Sequence, residues 1–410
     1  MKRPYGAFFV IRFCKRLLRM YQHLYQHFLS GHQGKQHFAS HSHHFWPDVT
    51  RQAMLEYWDL SAAHSDEKWL QVFGDKVPVT QQLLANVLGS KHPQQLVFAP
   101  NTHELVMRLL SCFDWRQPVR ILTTDSEFYS FQRQVSRLQE TGQVELTVIA
   151  TAPYADFEAR FIAAAAEGEF DLVFCSQVFF NSGVALTDLN AFVQQLAAVT
   201  DAMIAIDGYH GFMALPLDVS AIEHRIFYLA GSYKYAQAGE GCCFMLTPTG
   251  NQYRPFYTGW FAEFGALQQE RSAQVPYSED GFRFAGATMD FSALYRLHAV
   301  LQLFEQQNIT VAKIHQYVQQ LQQVFLQQLK AVDQSILGEK QLLRRDLNQH
   351  GHFLTFALED AAMAESLAGY LKQNHILTDF RGNRLRFGFA MYQRAEQFDL
   401  SCLSSFSYKK

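Results

Sequence analysis

The sequence has few cysteines, no long hydrophobic run and no large excess of charge of either sign. Its six cysteines, at positions 14, 112, 175, 242, 243 and 402, form no CxxC pair and are too sparse for a disulfide scaffold, which favours a reducing, cytoplasmic location. The apolar run at 5–11 ends at Arg12, is too short to span a bilayer and lacks a secretory cleavage site, so we expect no integral membrane segment. A net charge of -3 disfavours a nucleic-acid or general polyanion-binding protein.

The hydrophobic content and the length predict a large folded protein. At 410 residues, 48% hydrophobic and 14% aromatic, the chain can bury an extensive core and is long enough for two or three domain-sized units. The first 47 residues contain seven lysines or arginines and no acid. We interpret residues 1–36 as a basic amphipathic arm or partner helix, with a peripheral membrane contact or an organellar presequence as alternatives.

Short apolar runs alternate with amphipathic segments from about residue 96. QLVFAP precedes THELVMRLLSCF, VRILTTD precedes FQRQVSRLQE, and VELTVIA precedes FEARFIAAAA. Strands that are apolar throughout, separated by helices, predict an α/β fold in which a mainly parallel sheet lies between helix layers. From about residue 292 the pattern changes to long Gln-rich helices and a few strands. We therefore predict a large domain over 37–291, with 37–95 as its N-terminal segment near the active site, and a smaller α+β domain over 292–410.

Polar residues follow two successive predicted strands of the large domain. Asp207 ends AMIAIDGYH, with His210 three residues later, and Lys234 follows the next strand in RIFYLAGSYKY. Ligands of parallel sheets bind at the carboxyl ends of the strands, so these side chains are predicted to share a pocket. A crowded lysine loses solvation of its charged form and becomes a nucleophilic amine. A structural ion pair, or a lysine that reaches to water, would give the same pattern.

Two further segments place candidate ligand-binding residues at strand ends. QLVFAP leads into Asn101 and Thr102 at the start of a predicted helix, which is either an anion site or an ordinary helix cap. Phe128 follows another strand, where its ring could cover a flat ligand or fill the core.

The order of these motifs resembles pyridoxal-phosphate enzymes of the aspartate aminotransferase fold. Within them it is most similar to the class V group, and to kynureninases in particular, over roughly residues 37–395. Further matching segments are SQVFFNSG (176–183), GWF (259–261), GFR (281–283) and RLRFGFAMY (384–392). The resemblance implies fold type I, pyridoxal 5'-phosphate as the cofactor, an amino-acid substrate and a homodimer with shared active sites.

The resemblance also implies a set of functional residues. Lys234 would bond covalently to the cofactor and move protons, and Asp207 would keep the pyridine nitrogen protonated. His210 would be the third catalytic residue and would donate or accept a hydrogen bond at the cofactor. Arg386 would take the substrate α-carboxylate, although Arg381 and Arg384 compete for that role. Trp260 and Thr288 would reach into the site of the neighbouring subunit. The full cofactor-binding set comprises Asn101, Thr102, Phe128, Ser130, Ser176, Asp207, His210, Tyr233, Lys234, Trp260 and Thr288.

Several residues depart from the kynureninase pattern. Phe131 stands where those enzymes usually carry an aspartate, Phe179 and Phe180 where they often have histidine or asparagine, and AGAT (285–288) where an asparagine faces the substrate ketone. The histidine-rich segment 41–46 is expected to line the substrate entrance, and metal binding there is an alternative.

We expect a kynureninase-like hydrolase or lyase that cleaves between Cβ and Cγ of an amino acid. A class V aminotransferase with a keto-acid acceptor is the main alternative. A cysteine desulfurase is disfavoured because HILTDFRGNRLR lacks the cysteine that this chemistry needs, and a catalytically silent homologue is disfavoured because Lys234 and Asp207 are intact.

Overall fold

The structure, which is a computed structural model, describes residues 21–266 and 273–408. Most of the predicted basic arm therefore lies outside the described residues. The helices are α1 (Gln26–Gly31), α2 (Val49–His64), α3 (Lys68–Gln71), α4 (Val77–Leu88), α5 (Thr102–Leu110), α6 (Tyr129–Glu140), α7 (Phe157–Glu167), α8 (Leu189–Val199), α9 (Ser292–Gln306), α10 (Val311–Ala331) and α11 (Ala361–Gln373). The strands are β1 (Gln36–His37), β2 (Leu96–Ala99), β3 (Val119–Thr124), β4 (Val144–Ile149), β5 (Leu172–Ser176), β6 (Met203–Asp207), β7 (Ile226–Gly231), β8 (Cys243–Leu246), β9 (Phe353–Ala357), β10 (Ile376–Leu377), β11 (Asp379–Arg381) and β12 (Arg384–Gly388).

A seven-stranded sheet with the order β2-β8-β7-β6-β5-β3-β4 forms the centre of the molecule. β3 to β7 pair in parallel, whereas β8 runs antiparallel to both β2 and β7. All residues of β2, β5, β7 and β8 are buried, as in a sheet that is covered on both faces. This confirms the predicted α/β class with a mainly parallel sheet.

Strand β4 departs from the predicted pattern of strands that are apolar throughout. It lies at the edge of the sheet, pairs only with β3, and leaves Glu145, Thr147 and Val148 exposed. The segment VELTVI in fact alternates polar and apolar side chains over its first five residues. That alternation is typical of a strand with one solvated face.

The C-terminal part of the chain contains a separate antiparallel sheet with the order β11-β12-β9. Helix α11 begins at Ala361, because the Asp360 side chain accepts a hydrogen bond from the backbone N–H of Met363 and so caps the helix. Strand β1 pairs in parallel with β10 in a two-stranded sheet, which ties residues 36 and 37 to the segment directly before β11. The domain boundaries stay a prediction.

No described helix is both long enough and apolar enough to cross a membrane.

Candidate active site

A cavity of about 320 Å³ opens at the carboxyl ends of β5, β6 and β7. In-register pairing places Ser176 of β5 beside Asp207 of β6, and Asp207 beside Leu229 of β7. The sheet therefore brings together residues that are far apart in sequence. The cavity wall includes nine of the predicted site residues: Asn101, Thr102, Phe128, Ser130, Ser176, Asp207, His210, Tyr233 and Lys234.

Lys234 lies in this cavity with only 6% of its surface exposed. Its Nζ is 2.7 Å from His210 Nε2 and lies over the rings of Tyr209, Phe128 and Tyr233, at 4.9, 5.3 and 5.7 Å from their centroids. Burial, opposed by the nearby Asp207 carboxylate, lowers the pKa of Lys234 to about 7. A large fraction of the side chain is then a neutral amine at physiological pH, which is the nucleophilic form.

His210, whose ring contacts the lysine amine, is neutral. Burial and the charge of Lys234 lower the pKa of His210 well below its ordinary value. Its Nδ1 is buried and has no hydrogen-bonding partner within the described part of the chain. An unpaired buried nitrogen beside the lysine indicates a position for a ligand or a water molecule.

Asp207 ends β6 and accepts a hydrogen bond from the backbone N–H of Tyr209 at 2.9 Å. Burial raises the pKa of the carboxyl group, while the Tyr209 N–H and the charge of Lys234 act in the opposite direction. A carboxylate in such surroundings gains from a cationic partner, since an ionised group in low dielectric is poorly solvated.

The N-terminus of α5 supplies the polar end of the cavity. Asn101 has extended backbone geometry and its side chain accepts the N–H of Glu104, so it is the helix cap. Thr102 is the first residue of the helix, and both residues line the cavity. The free N–H groups of a helix start and the positive end of its dipole favour an anion here.

Glu127 is a buried acid that our sequence interpretation missed. Its carboxylate accepts hydrogen bonds from Thr124 Oγ1 at 2.7 Å, from the Ser176 backbone N–H at 3.1 Å and from Ser176 Oγ at 2.5 Å. Burial raises its pKa to about 7, and the nearby Asp207 adds to the rise. Its position directly before Phe128, just after a buried strand, was the available signal.

Replacing Glu127 with glutamine is expected to alter how stability depends on pH. The pKa of Glu127 in the folded protein is about 7 instead of its ordinary 4.5, so between these values the folded state binds more protons than the unfolded state. The free energy of unfolding of the wild type therefore falls as the pH rises through this window. Glutamine cannot ionise, so the stability of the variant relative to wild type should increase by on the order of 2 to 3 kcal/mol between about pH 5 and pH 8.

Urea unfolding at the two pH values measures this difference. Glu365→Gln on the exposed face of α11 is the matched control and should show no such change. If the difference in free energy of unfolding between Glu127→Gln and the wild type is the same at both pH values, Glu127 does not titrate in this range.

Trp260 and Thr288 lie apart from the nine cavity residues. Trp260 Nε1 donates to Thr288 Oγ1 at 3.3 Å, and the indole is 40% exposed. Neither residue lines the cavity of its own chain. Their contribution to a neighbouring subunit, and with it the homodimer, stays a prediction.

Arg386 is also absent from the cavity wall. It is buried, its guanidinium donates to the Phe180 carbonyl oxygen, and it is paired with Asp379, a residue that our interpretation of the sequence did not single out. Of the competing arginines, Arg384 donates to the Asn181 carbonyl and Arg381 is exposed. The role of Arg386 toward substrate stays a prediction.

The histidine-rich segment 41–46 packs mainly into the protein. His41 and His44 are buried, whereas His43 is exposed with its ring 6.4 Å from that of the cavity residue Tyr233. Among residues 21–266 and 273–408, no cluster of three or more histidines, cysteines or acids is placed to hold a metal ion.

Comparison with known families identifies the group to which this site belongs. The chain matches the model of the class V aminotransferases over residues 43–397. The chain belongs to the class V aminotransferase family. A comparison with curated proteins gives no significant match.

Solved structures with a similar fold extend over nearly the whole chain. The cystine C–S lyase C-DES, in complex with its product cysteine persulfide, is 18% identical, has a TM-score of 0.74, and matches 88% of this chain and 95% of its own. The apo cysteine desulfurase from Thermococcus onnurineus NA1 is 16% identical, with a TM-score of 0.72 and coverage of 92% and 93%. The cysteine desulfurase CsdA from Escherichia coli is 14% identical, with a TM-score of 0.71 and coverage of 90% and 93%.

At these identities the likeness shows the fold alone, and it confirms the predicted fold type I. These findings establish the class V family but not a likeness to kynureninase, which stays a prediction.

The cofactor of this member of the class V aminotransferase family is pyridoxal phosphate, as the family implies and as one C-DES structure, with glycine covalently linked to its PLP cofactor, illustrates. The cavity residues fit this group. Lys234 offers a buried amine, Asp207 a half-buried carboxylate for the pyridine nitrogen, and the start of α5 at Thr102 an anion site for the phosphate. The protein is thus a pyridoxal-phosphate-dependent enzyme that acts on amino acids.

Proposed function

We propose that this enzyme cleaves a bond at Cβ of an amino acid, with kynurenine-type hydrolysis between Cβ and Cγ as the specific reaction. The observation that carries the proposal is the contact between Lys234 Nζ and His210 Nε2, 2.7 Å apart in a buried cavity. Cleavage at Cβ needs one base for the Cα proton and a further group that handles a proton at the departing side chain. Two adjacent neutral bases meet this need.

Each residue of the pair has a role set by its surroundings. Lys234, with its pKa lowered to about 7, is able to take the Cα proton at neutral pH. His210 is neutral, so its Nε2 can accept a hydrogen bond from Lys234 and hold the amine in place as the proton moves. The cofactor, when bound, supplies an electron sink for the negative charge that develops at Cα. Asp207 keeps that sink electron-poor by holding the pyridine nitrogen protonated.

The cysteines support a route that does not use a protein thiol. Of the five cysteines in the described ranges, Cys243 lines the cavity. Its Sγ lies 3.5 Å from Tyr209 Oη at the wall, and burial raises the pKa of the thiol to about 12. A thiol held in its protonated form is a poor nucleophile, which disfavours desulfuration by attack of a protein cysteine. The similar fold of a cystine C–S lyase makes cleavage of a Cβ–S bond the second reaction to test.

Product analysis with purified holoenzyme tests the proposal. L-kynurenine and L-cystine are each incubated with and without a keto acid, and the amino-acid and keto-acid products are quantified. Lys234→Ala protein with equal cofactor serves as the blank, because free pyridoxal phosphate reacts slowly with amino acids by itself.

Alanine and anthranilate formed from kynurenine and water without a keto acid would support cleavage between Cβ and Cγ. Persulfide formed from cystine without a keto acid would support cleavage at Cβ but would show that the bond cleaved is Cβ–S and not Cβ–Cγ. Turnover that occurs only with a keto-acid acceptor would overturn the proposal in favour of transamination.

A further inference from the structure

Arg386 and Asp379 form a two-point ion pair in the C-terminal sheet. The two residues face each other across the antiparallel strands β12 and β11. Arg386 Nε donates to Asp379 Oδ1 at 2.8 Å, and Nη2 donates to Oδ2 at 2.5 Å. This is the geometry with which a guanidinium binds a ligand carboxylate. The side-chain carboxylate of Asp379 therefore takes the place that a substrate carboxylate would occupy on Arg386.

The pair is asymmetric in its exposure. The Arg386 side chain is 4% exposed and that of Asp379 is 17% exposed, so the aspartate lies on the accessible side. His41 Nε2 also contacts Asp379 Oδ1, at 2.8 Å. Burial alone would raise the pKa of Asp379, but His41 and Arg386 outweigh it and hold the pKa well below its usual range. Asp379 is thus a permanent anion that needs a cationic partner.

A second arginine is available to that anion. Arg381 Nη2 is 3.9 Å from Asp379 Oδ2, and its side chain is 42% exposed at the end of β11. Asp379 consequently lies between a buried arginine and an exposed one. A small rotation of its carboxylate would exchange Arg386 for Arg381 without leaving the aspartate unpaired, which avoids most of the cost of breaking a buried ion pair.

The ion pair is coupled to the cavity through Phe180. Arg386 Nη1 donates to the carbonyl oxygen of Phe180, whose side chain lines the cavity. A ligand carboxylate that reached Arg386 would therefore lie next to a residue of the cavity wall.

We propose that Asp379 is a specificity-determining residue whose carboxylate occupies the carboxylate subsite on Arg386. When a ligand carboxylate pairs with Arg386, Asp379 pairs with Arg381 instead. This inference rests on the proposed function in so far as the ligand is the α-carboxylate of an amino acid. Ligands without a carboxylate cannot displace Asp379, because they offer Arg386 no replacement anion. The apparent affinity for carboxylates is lowered by the fraction of enzyme in which Asp379 holds Arg386.

Binding of propionate to the holoenzyme, measured by calorimetry, tests this exchange. Propionate has a carboxylate but no amino group, so it is not turned over, and its affinity does not depend on which reaction the enzyme catalyses. Asp379→Asn removes the competing anion and is expected to tighten propionate binding by about tenfold. Arg386→Lys in the Asp379→Asn background should abolish that gain, because an ammonium cannot make two parallel hydrogen bonds to a carboxylate.

Two further variants keep the test decisive if Asp379→Asn does not fold. Arg381→Gln removes the second partner of Asp379 and should weaken propionate binding to otherwise wild-type enzyme. Arg384→Gln, on the same strand face as Arg386 but bonded to Asn181, is the matched control and should bind propionate as the wild type does.

Unchanged or weaker binding by folded Asp379→Asn, or unchanged binding by Arg381→Gln, would overturn the proposal. Loss of binding in Arg384→Gln alone would move the carboxylate subsite to that residue. Cleavage at Cβ could fail in the product assay without altering any of these affinities, so the two proposals fail separately.

Discussion

Lys234→Ala is expected to lower turnover by on the order of 10⁴-fold and to abolish the covalent bond between protein and cofactor. The amine is buried in the cavity, 2.7 Å from His210, with its pKa lowered to about 7. Alanine removes both the nucleophile that bonds to the cofactor and the base for the Cα proton, and no other lysine is among the residues that line the described cavity. The loss should therefore far exceed that of a residue that only binds substrate.

Borohydride reduction followed by peptide mapping measures the bond directly. In the wild type the reduced cofactor should be attached to the peptide that contains Lys234, and the variant should carry no label and lose its yellow absorbance. Lys372→Ala, an exposed lysine of α11, is the matched control and should behave as the wild type. A wild-type label on a different lysine would refute the assignment of Lys234.

Asp207→Asn is expected to lower kcat by about 10² to 10⁴-fold while the cofactor stays bound. Asparagine keeps the size of the side chain and an oxygen that can accept the N–H of Tyr209. It cannot supply the negative charge that keeps the pyridine nitrogen protonated, so stabilisation of charge at Cα weakens. Stopped-flow absorbance and steady-state turnover of the holoenzyme measure the change.

A separate measurement distinguishes this electrostatic role from a structural one. Because burial raises the pKa of Asp207, the ionised carboxylate is a source of instability in the protein without cofactor. The Asp207→Asn protein without cofactor should be at least as stable as the wild type at pH 8. Near-normal kcat, or a large loss of stability in the cofactor-free variant, would contradict the electron-sink role.

The candidate site was predictable from sequence where local pattern and chain order are sufficient. Asp207 and Lys234 each follow an apolar run, and the carboxyl ends of neighbouring parallel strands meet at one edge of a sheet. Asn101 and Thr102 were recognisable because a helix start has a residue pattern of its own. The alternatives left open for Lys234 required burial to decide between them, and its 6% exposure favours the crowded amine over a lysine that reaches to water.

Long-range contacts account for what sequence reasoning did not find. Glu127 became relevant only because β3 and β5 are neighbours, which places its carboxylate against Ser176, 49 residues away. The pairing of Asp379 with Arg386 depends on the register of a hairpin between two short strands, and a shift of one residue would turn Asp379 to the other face. Strand alternation could not choose among the three arginines offered for one role, and only the family pattern favoured Arg386.

The sequence by itself determined the fold class, the family resemblance and the cofactor, and it predicted the lysine and aspartate proposed to serve that cofactor, because these depend on periodicity and on motifs of a few adjacent residues. Only the tertiary structure decided the protonation and partners of these groups. Burial lowers the pKa of Lys234 and raises that of Glu127, and cross-strand register gives Arg386 an aspartate of its own chain as its carboxylate partner. Desolvation and ion pairing act between residues distant in sequence, and their strength depends on distance and on the exclusion of water, which no local pattern records.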